Sequence, residues 1–437
     1  MEWYWAAVLL FGLSVLLMFL GLPVAIAFFG ANLVGAVVFM GGERGIWQVI
    51  NNGFGAITTF ALVPIPMFLL MGELFYHTGL ATRFFNAVDR LMGNVPGRLA
   101  YVTLVGGTAF AAPAGSSMGA CALLGSLMVP EMMKRGYNKY LSMGPIMGVG
   151  GLAVIIPPSA LTVLLATLGQ TDVGDLLIAG VIPGLVLALM YGVLIWGWTV
   201  FDPTAAPGYV AEHADRAERW RLIVFDIVPM VAVIVFSVII MIVGWATPTE
   251  AAALGAMSIV LLAAAYRGLT WESFKKSVDG ALRVTVMSFL IIFGSATFAQ
   301  LLAFSGASSG LIQHFLGFEL APLGMLLVMI GILFFLGCFM DQLSMMLLTA
   351  PIFFPLAKTL GFDLTWFGLI MLLALEIGYT TPPFGLLLFV MKGVAPPGTT
   401  MRDVYLAGAP FIACVMLLIA LIIFFPPIAT WLPQLSR

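Results

Sequence analysis

Two short stretches of this sequence, IIPPS at residues 155–159 and TTPPF at residues 380–384, each break a long apolar segment near its middle. The apolar segments cover residues 140–169 and 363–392. A proline within a helix has no N–H to donate, so the carbonyl group four residues earlier loses its hydrogen bond. The sequence therefore predicts two long helices, each broken at its Pro-Pro pair.

The composition indicates that these helices lie in a membrane. Of the 437 residues, 62% are hydrophobic and 9% are charged, whereas about 25% are charged in an average soluble domain. The 18 Lys and Arg do not outnumber the 20 Asp and Glu, which argues against a nucleic-acid-binding protein. Lipid admits only helices or closed barrels, and apolar runs of about 20 residues are typical of helices. We therefore predict an all-α polytopic membrane protein.

The remaining apolar segments give the number of membrane spans. Besides the two broken segments there are eight uninterrupted ones, so we predict about ten spans. The uninterrupted segments cover residues 4–20, 22–40, 60–77, 176–200, 222–244, 247–266, 281–303 and 403–425. Two further stretches, residues 99–130 and 321–357, are too long to cross a roughly 30 Å hydrocarbon core once and too short to cross it twice. Each is interrupted by small or polar residues, AAPAGSS at 111–117 and GCFMDQ at 337–342. We predict that both are re-entrant hairpins.

The charges give an orientation. With the N-terminus outside, 15 of the 18 Lys and Arg lie on the cytoplasmic side, and the three outside are Arg44, Lys358 and Arg437. This distribution follows the positive-inside rule, and the opposite orientation would invert it. Both termini are therefore predicted to lie outside the cytoplasm.

The order of the segments repeats. Residues 1–200 and 222–437 each contain five spans and one hairpin, and the hydrophilic residues 201–221 form a cytoplasmic linker between them. Amphipathic stretches at residues 43–58 and 268–282 lie in equivalent places. Because five is an odd number, the second half is inserted upside down. Inverted repeats with discontinuous helices at equivalent positions are typical of secondary transporters, and the broken helices mark the binding site.

The two Pro-Pro pairs predict cation sites. They leave four carbonyl groups without their helical partner, those of Ala153, Val154, Gly378 and Tyr379. Such oxygens deep in a bilayer need a cation or a donor, and a hard monovalent cation such as Na+ suits neutral oxygen ligands. Nearby hydroxyl groups that can complete such a shell belong to Ser159, Thr380 and Thr381. The alternative explanation for each pair is a structural kink.

The hairpin tips predict an anion site. The first tip, GSS at residues 115–117, supplies hydroxyl and N–H groups where two half-helices meet. Helix N-termini carry partial positive charge and attract carboxylates. Tips and broken helices together are therefore predicted to hold cations and an organic anion side by side.

Four acidic residues lie within apolar segments, where acids are functional by default. Asp341 lies at the second tip and is predicted to hold that tip or the substrate site. The role of Glu376 is left open. Glu73 and Glu250 are interpreted as structural, Glu250 as a first-turn acid that follows TPT at residues 247–249. A zinc-binding HExxH motif, a nucleophile elbow and a phosphate-binding glycine loop followed by lysine are all missing from the sequence, so we predict no enzyme and no cofactor.

Several pieces of sequence, in this order, resemble the large membrane subunit of tripartite ATP-independent periplasmic (TRAP) transporters over essentially the whole chain. The pieces are PIPMFLLMG at 64–72, LGS at 124–126 with Pro130, IIPPS at 155–159, TPTEAAA at 247–253, FMD at 339–341 and GYTTPPFG at 378–385. At the first tip this sequence differs from the common family pattern, since Ala114 replaces a serine and Ala120 falls where an aspartate is usual.

The resemblance implies an elevator-type importer that carries small organic anions, chiefly carboxylates, with Na+ as the coupling ion. It implies two partners, a separate small four-helix membrane subunit and a periplasmic substrate-binding protein, and a location in the bacterial inner membrane with both termini periplasmic. It implies one sodium site at Ala114, Ser116, Ala153, Ile156 and Pro158. The other implied sodium site comprises Gly337, Gly378, Thr381 and Pro383. The candidate substrate-binding residues are Ser116, Ser117, Ser159, Asp341 and Thr380.

Two other functions remain open from the sequence. A standalone ion-coupled carboxylate symporter of elevator type would have the same broken helices, and would differ by the lack of a small four-span protein and a secreted binding protein encoded nearby. An intramembrane enzyme would need two facing acids or a metal-binding constellation, and the sequence offers neither convincingly.

Overall fold

The computed structural model describes residues 2–93, 95–114, 117–207, 215–317, 320–338, 340–382 and 385–435, with the backbone alone for residues 109–114 and 316. Of the residues that the structure describes, 84% are helical and none lies in a β-strand. This confirms the prediction of an all-α protein.

Helices α1 to α11 precede the linker. They are α1 (Trp3–Phe19), α2 (Val24–Phe39), α3 (Glu43–Ile57), α4 (Pro64–His77), α5 (Leu80–Met92), α6 (Arg98–Ala114), α7 (Ser117–Lys134), α8 (Lys139–Ile155), α9 (Ala160–Leu168), α10 (Val173–Ala179) and α11 (Val181–Phe201). Short 3-10 turns cover Phe60–Leu62 and Pro203–Ala205.

Helices α12 to α22 complete the chain. They are α12 (Arg216–Leu222), α13 (Val228–Ile242), α14 (Pro248–Ala265), α15 (Trp271–Phe304), α16 (Ala307–Leu316), α17 (Pro322–Gly337), α18 (Gln342–Thr359), α19 (Leu364–Thr380), α20 (Leu386–Val394), α21 (Met401–Phe424) and α22 (Pro427–Leu435). A π-helical turn, Ile223–Ile227, joins α12 to α13.

Within the described ranges, six helical segments are long and apolar enough to cross a membrane: Phe60–His77, Val173–Phe201, Arg216–Ile242, Pro248–Ala265, Trp271–Phe304 and Met401–Phe424. The pair α8 and α9, bent by 48° at its break, makes a seventh if it forms one span. Four shorter apolar helices, α1, α2, α17 and α19, have 16 or 17 residues. The chain is therefore a multi-pass helical protein, and the count of ten spans stays a prediction.

Both Pro-Pro pairs lie where a helix ends. Helix α8 ends at Ile155 and α9 begins at Ala160, whereas α19 ends at Thr380 and α20 begins at Leu386. Every residue from 141 to 155 and from 366 to 380 is buried. A helix that is apolar all round must be covered on all sides, and here α8 and α19 contact each other and are surrounded by protein. The two broken helices therefore form the centre of the molecule.

Each of the two predicted hairpin regions forms a pair of helices that pack together. Helix α6 packs against α7, and α17 packs against α18. Both pairs also contact a central helix, since α6 and α7 pack on α8, while α17 and α18 pack on α19. Whether each pair returns to the side of the membrane from which it came stays a prediction.

Local capping explains several helix starts. Thr247 and Glu250 form a capping box at the start of α14, in which the Thr247 N–H donates to Glu250 Oε2 at 2.8 Å. This confirms the structural interpretation of Glu250. Glu73 lies 3.2 Å from His77 Nε2 on α4, one turn away, which agrees with its structural interpretation.

The amphipathic connectors differ between the halves. Residues 43–57 form the separate helix α3, whereas the second stretch continues without a break into the 34-residue helix α15. After the linker, Arg83 on α5 forms an ion pair with Asp226, and its guanidinium lies 4.2 Å from the centre of the Tyr266 ring. Arg90 pairs with Glu218 at 2.5 Å. These ion pairs fasten α5 to the end of the linker and to the turn that follows it.

Candidate functional site

A cavity of about 220 Å³ lies between the two predicted hairpin tips. Ser117 of the first tip and Asp341 and Gln342 of the second tip line it. Its other walls come from Ala160 and its neighbours on α9 and from apolar side chains of α4 and α15, with Ser288 as a further polar group. The volume is below the range of about 300–1,000 Å³ that is usual for drug-sized ligands, so the cavity suits a small molecule.

Three helix N-termini are at this cavity. Ser117, Ala160 and Gln342 are the first residues of α7, α9 and α18, and all three line the wall. The partial positive charge of helix N-termini favours an anion at such a place. Among the described lining residues there is no Lys or Arg. The attraction for an anion therefore comes from backbone N–H groups, chiefly those of α7 and α9, because the carboxyl group of Asp341 caps α18.

Asp341 is the N-cap of α18. Its side chain accepts a hydrogen bond from the Leu343 N–H at 3.1 Å and another from the Ser344 hydroxyl. A carboxylate at a helix N-terminus is stabilised by such hydrogen bonds and by the helix dipole. Asp341 therefore caps α18 at the second tip and lines the cavity, whereas its role at the substrate site stays a prediction.

The second implied sodium site includes a close backbone contact. A Cβ atom on Gly337 would lie 2.6 Å from the Gly378 carbonyl oxygen, and one on Gly378 would lie 2.6 Å from the Leu333 carbonyl oxygen. Only glycine at both positions lets α17 and α19 approach so closely. The structure thus brings Gly337 and Gly378 together, 41 residues apart in the chain.

The hydroxyl groups near the first break donate to a backbone carbonyl group, whereas the sequence predicts that they complete a cation site. Ser159 donates to the Val154 carbonyl at 2.7 Å, and Thr162 donates to the same oxygen at 2.9 Å. Ser159 also caps α9, since its oxygen accepts from the Thr162 N–H. The Val154 carbonyl, expected to be stranded, is therefore satisfied by two side chains that follow the break. Ser159 is wholly buried and does not line the cavity.

At the second break the threonine hydroxyls donate back to their own helix. Thr380 donates to the Glu376 carbonyl at 2.9 Å, and Thr381 donates to that of Ile377. The Gly378 carbonyl accepts from the Thr381 N–H at 3.2 Å, so it is not fully stranded as expected. Because a helical threonine readily bonds the carbonyl group one turn earlier, neither hydroxyl is directed at the cavity in this arrangement.

The remaining candidate residues for sodium and substrate binding lie in several different parts of the fold. Ala153 lies buried in α8, whereas Ile156 and Pro158 lie in the break, where Ile156 has extended backbone. Thr380 lines a second, smaller cavity beside α8 and α21. Ala114 is the last residue of α6, and its side chain is outside the description; Ser116 and Pro383 lie outside the described residues. Within the described ranges, no three His, Cys, Asp or Glu side chains are grouped as a metal centre would require.

Glu376 is the acidic residue whose role the sequence analysis left open. It is 2% exposed on α19, and its Oε2 atom lies 3.0 Å from the Ser117 hydroxyl and accepts from the Gln342 amide. A single acid in an apolar segment is a signal for function, but its partners come from distant parts of the chain. Gln342 was not singled out at all, although it follows Asp341 at the tip.

A substitution of Ser159 at the first break distinguishes a helix-capping role of this residue from a role in ligand binding. Ser159→Ala removes one donor to the Val154 carbonyl and the cap of α9, so we expect a loss of stability of about 1 kcal/mol and an unchanged Na+ concentration for half-maximal uptake. The midpoint of thermal unfolding in detergent and the Na+ titration of uptake measure the two effects. Ser126→Ala is the control, because the exposed Ser126 hydroxyl bonds only within its helix. A large shift in Na+ dependence would contradict the capping role.

A multi-pass apolar helical protein with two broken helices at its centre and a cavity at several helix N-termini belongs to the class of membrane transport proteins. The family model described as "Tripartite ATP-independent periplasmic transporter, DctM component" matches residues 11–428. The chain belongs to this family.

Two relatives illustrate the similarity. The chain is 30% identical over 451 aligned residues to the C4-dicarboxylate TRAP transporter large permease protein DctM of Rhodobacter capsulatus, covering 98% of this chain and 99% of that one. It is 32% identical over 394 residues to the isethionate TRAP transporter permease protein DctMQ of Oleidesulfovibrio alaskensis. That match covers 88% of this chain and 60% of the length of the relative. Both relatives are transporter permeases and not enzymes.

The fold also has a counterpart among solved structures. The YdaH transporter of Alcanivorax borkumensis aligns with a TM-score of 0.65 and 13% sequence identity, over 95% of this chain and 99% of that chain. This likeness concerns the fold alone.

Proposed function

We propose that this protein is the membrane translocation subunit of a sodium-coupled importer of small organic anions. The observation that carries the proposal is the 220 Å³ cavity between the two tips, at which α7, α9 and α18 begin. The N-termini of α7 and α9 favour an anion without a basic side chain, while the carboxyl group of Asp341 caps the N-terminus of α18. The names of the two relatives above, for a dicarboxylate and a sulfonate, agree with a small organic anion as the cargo.

The proposed architecture is two inverted repeats of five spans and one re-entrant hairpin each. The order of elements supports it: a helix pair followed by a broken helix occurs at α6–α9 and again at α17–α20. In an elevator mechanism these elements move as the transport domain, while helices such as α4 and α15 form the scaffold. Helices α4 and α15 pack on each other and supply one wall of the cavity, which is where a moving domain would slide.

We place one sodium site in each repeat. The second is supported by the backbone contact of Gly337 with Gly378 beside the break at Thr381, which brings backbone oxygens of α17 and α19 close together. The first is its counterpart at Ala114, Ser116, Ala153, Ile156 and Pro158. A cation at either place would offset part of the charge of an entering anion, so the two ligands should strengthen each other's binding.

The proposed partners are a separate small membrane subunit and a periplasmic substrate-binding protein, in the bacterial inner membrane with both termini of this chain periplasmic. The charge distribution of the sequence supports this orientation. The family description supports the tripartite assembly and transport without ATP.

Reconstitution tests the tripartite assembly. Three sets of proteoliposomes are compared: this chain alone, this chain with the small subunit, and this chain with both the small subunit and the binding protein. Uptake in each set is driven by a Na+ gradient without ATP. We expect uptake only from the complete set. Full uptake by this chain alone would support the standalone symporter instead, and uptake that requires ATP would exclude both. The cargo is identified beforehand by thermal-shift screening of the binding protein against small carboxylates and sulfonates.

Substitutions of Asp341 test the second tip. Asp341→Ala removes the N-cap of α18, for which a loss of about 1 kcal/mol is typical, and we expect nearly normal expression with strongly reduced uptake because the tip lines the cavity. Asp341→Asn keeps a capping oxygen and is expected to retain more of the stability than of the uptake. Glu250→Ala is the matched control, since it removes a capping acid at the start of α14, outside the cavity. Wild-type uptake by Asp341→Ala would show that the tip does not depend on this residue.

A further inference from the structure

The two hairpin tips meet at one carboxyl group. Glu376 Oε2 lies 3.0 Å from the Ser117 hydroxyl, and the Gln342 side-chain amide donates to the same oxygen. Ser117 is the first residue of α7 and Gln342 is the first residue of α18, so each donor occupies the same place in its own helix pair. We call Ser117, Gln342 and Glu376 the carboxyl junction.

The first broken helix makes room for this group. Counted back from the Pro-Pro pairs, the position equivalent to Glu376 in the first half is Gly151, and its neighbour Gly150 faces the carboxyl group. A Cβ atom on Gly150 would lie 2.8 Å from Glu376 Oε1 and 3.1 Å from the Ser117 Cβ. The Gly150 carbonyl oxygen also lies 3.2 Å from the Ser117 hydroxyl. The junction thus includes the backbone of α8, and a side chain there would push it apart.

The junction is deeply buried: Ser117 and Gln342 also line the 220 Å³ cavity, whereas Glu376 lies behind them and does not line it. Ser117, Gln342 and Glu376 are all at least nine-tenths buried. Glu376 Oε1 has no hydrogen-bond partner among the described residues and borders a cavity of about 20 Å³, enough for one water molecule. The two hydrogen bonds that described residues make to this carboxyl group are both at Oε2.

We propose that Glu376 is the positioning residue that couples the two tips, so that both hairpins and both broken helices move as one body. This inference rests on the proposed function, since it assigns the part of the chain that keeps the moving domain together. Glu376 touches neither the cargo nor a sodium ion in this role. It acts through Ser117 and Gln342, which hold the starts of α7 and α18 against α8 and α19.

The distance between the hairpins tests the coupling in the purified protein. Spin labels are attached at Leu127 on α7 and Leu327 on α17, both more than half exposed, after the three native cysteines are replaced by alanine. We expect one narrow distance distribution in the parent protein and a broadened one in Glu376→Ala. Glu376→Gln is expected to restore the narrow distribution in large part, because its carbonyl oxygen can accept both donors. Glu73→Ala, which removes an acid on α4 outside the hairpins, should leave the distribution unchanged.

Uptake gives an independent measurement. In Glu376→Ala we expect maximal uptake to fall about tenfold or more, as is typical for the loss of a buried hydrogen bond to a carboxyl group. The Hill coefficient for Na+ should fall toward one, since uncoupled tips no longer respond together. Ser117→Ala and Gln342→Leu should each cause part of the effect, and combining either with Glu376→Ala should add little.

An unchanged distance distribution in Glu376→Ala would overturn the proposal, as would effects of Ser117→Ala and Glu376→Ala that simply add. If Glu376→Ala fails to fold, the Ser117→Ala and Gln342→Leu variants decide by the same distance measurement. A failure of the proposed transport function is recognised separately, because it would abolish uptake by the parent protein and leave the distance measurement intact.

Discussion

Replacing Na+ by K+ is expected to abolish uptake by proteoliposomes that contain the complete transporter. The physical reason is the sodium site proposed at the second break, where the backbones of Gly337 and Gly378 are in contact. A hard, small cation suits such neutral oxygen ligands, and the broken helices of secondary transporters supply them. The initial rate of uptake at fixed cargo concentration, measured in NaCl, KCl and choline chloride, gives the result.

The dependence on Na+ concentration distinguishes two sites from one. With one sodium site in each repeat we expect a Hill coefficient clearly above one, because both sites favour the same arrangement of the tips. A hyperbolic dependence on Na+, or equal rates in Na+ and K+, would refute the paired sodium sites, and the Pro-Pro pairs would then be structural kinks.

Gly337→Ala is expected to cause the largest loss among single substitutions. The added Cβ would overlap the Gly378 backbone and lie 2.6 Å from its carbonyl oxygen, and backbone atoms of two packed helices cannot move aside as a flexible side chain can. Overpacking of this kind typically destabilises by about 1–3 kcal/mol, which corresponds to roughly 5- to 150-fold in the population of the packed arrangement. Uptake should fall accordingly, with the Na+ concentration for half-maximal uptake raised.

Gly331→Ala is the matched control for this substitution. Gly331 lies on the same helix α17, is exposed, and has no atom within 4 Å of the position of an added Cβ. Its substitution should leave uptake and Na+ dependence near those of the parent protein. Normal uptake by Gly337→Ala would mean that the contact between α17 and α19 opens at little cost, and that no cation site depends on it.

The class of protein and several local features could be predicted from the sequence alone. Long apolar runs with few charges require lipid, and each of the two Pro-Pro pairs interrupts its helix because two successive residues lack an N–H group and their rings clash with the preceding turn. The ends of α8 and α19 are therefore decided by residues within one turn. The capping box of Thr247 with Glu250 is equally local, since its partners are three residues apart.

The features that only the tertiary structure decides depend on contacts between residues that are far apart in the sequence. The sequence left the role of Glu376 open and passed over Gln342, because the bond between Ser117 and Glu376 joins residues 259 positions apart. The sequence predicts that the Val154 carbonyl at the first break lacks a hydrogen-bond donor. In the structure the chain turns after the break so that the hydroxyl groups of Ser159 and Thr162 donate to this carbonyl. A proline determines which carbonyl loses its helical donor, whereas the path of the chain beyond the break determines which group replaces that donor.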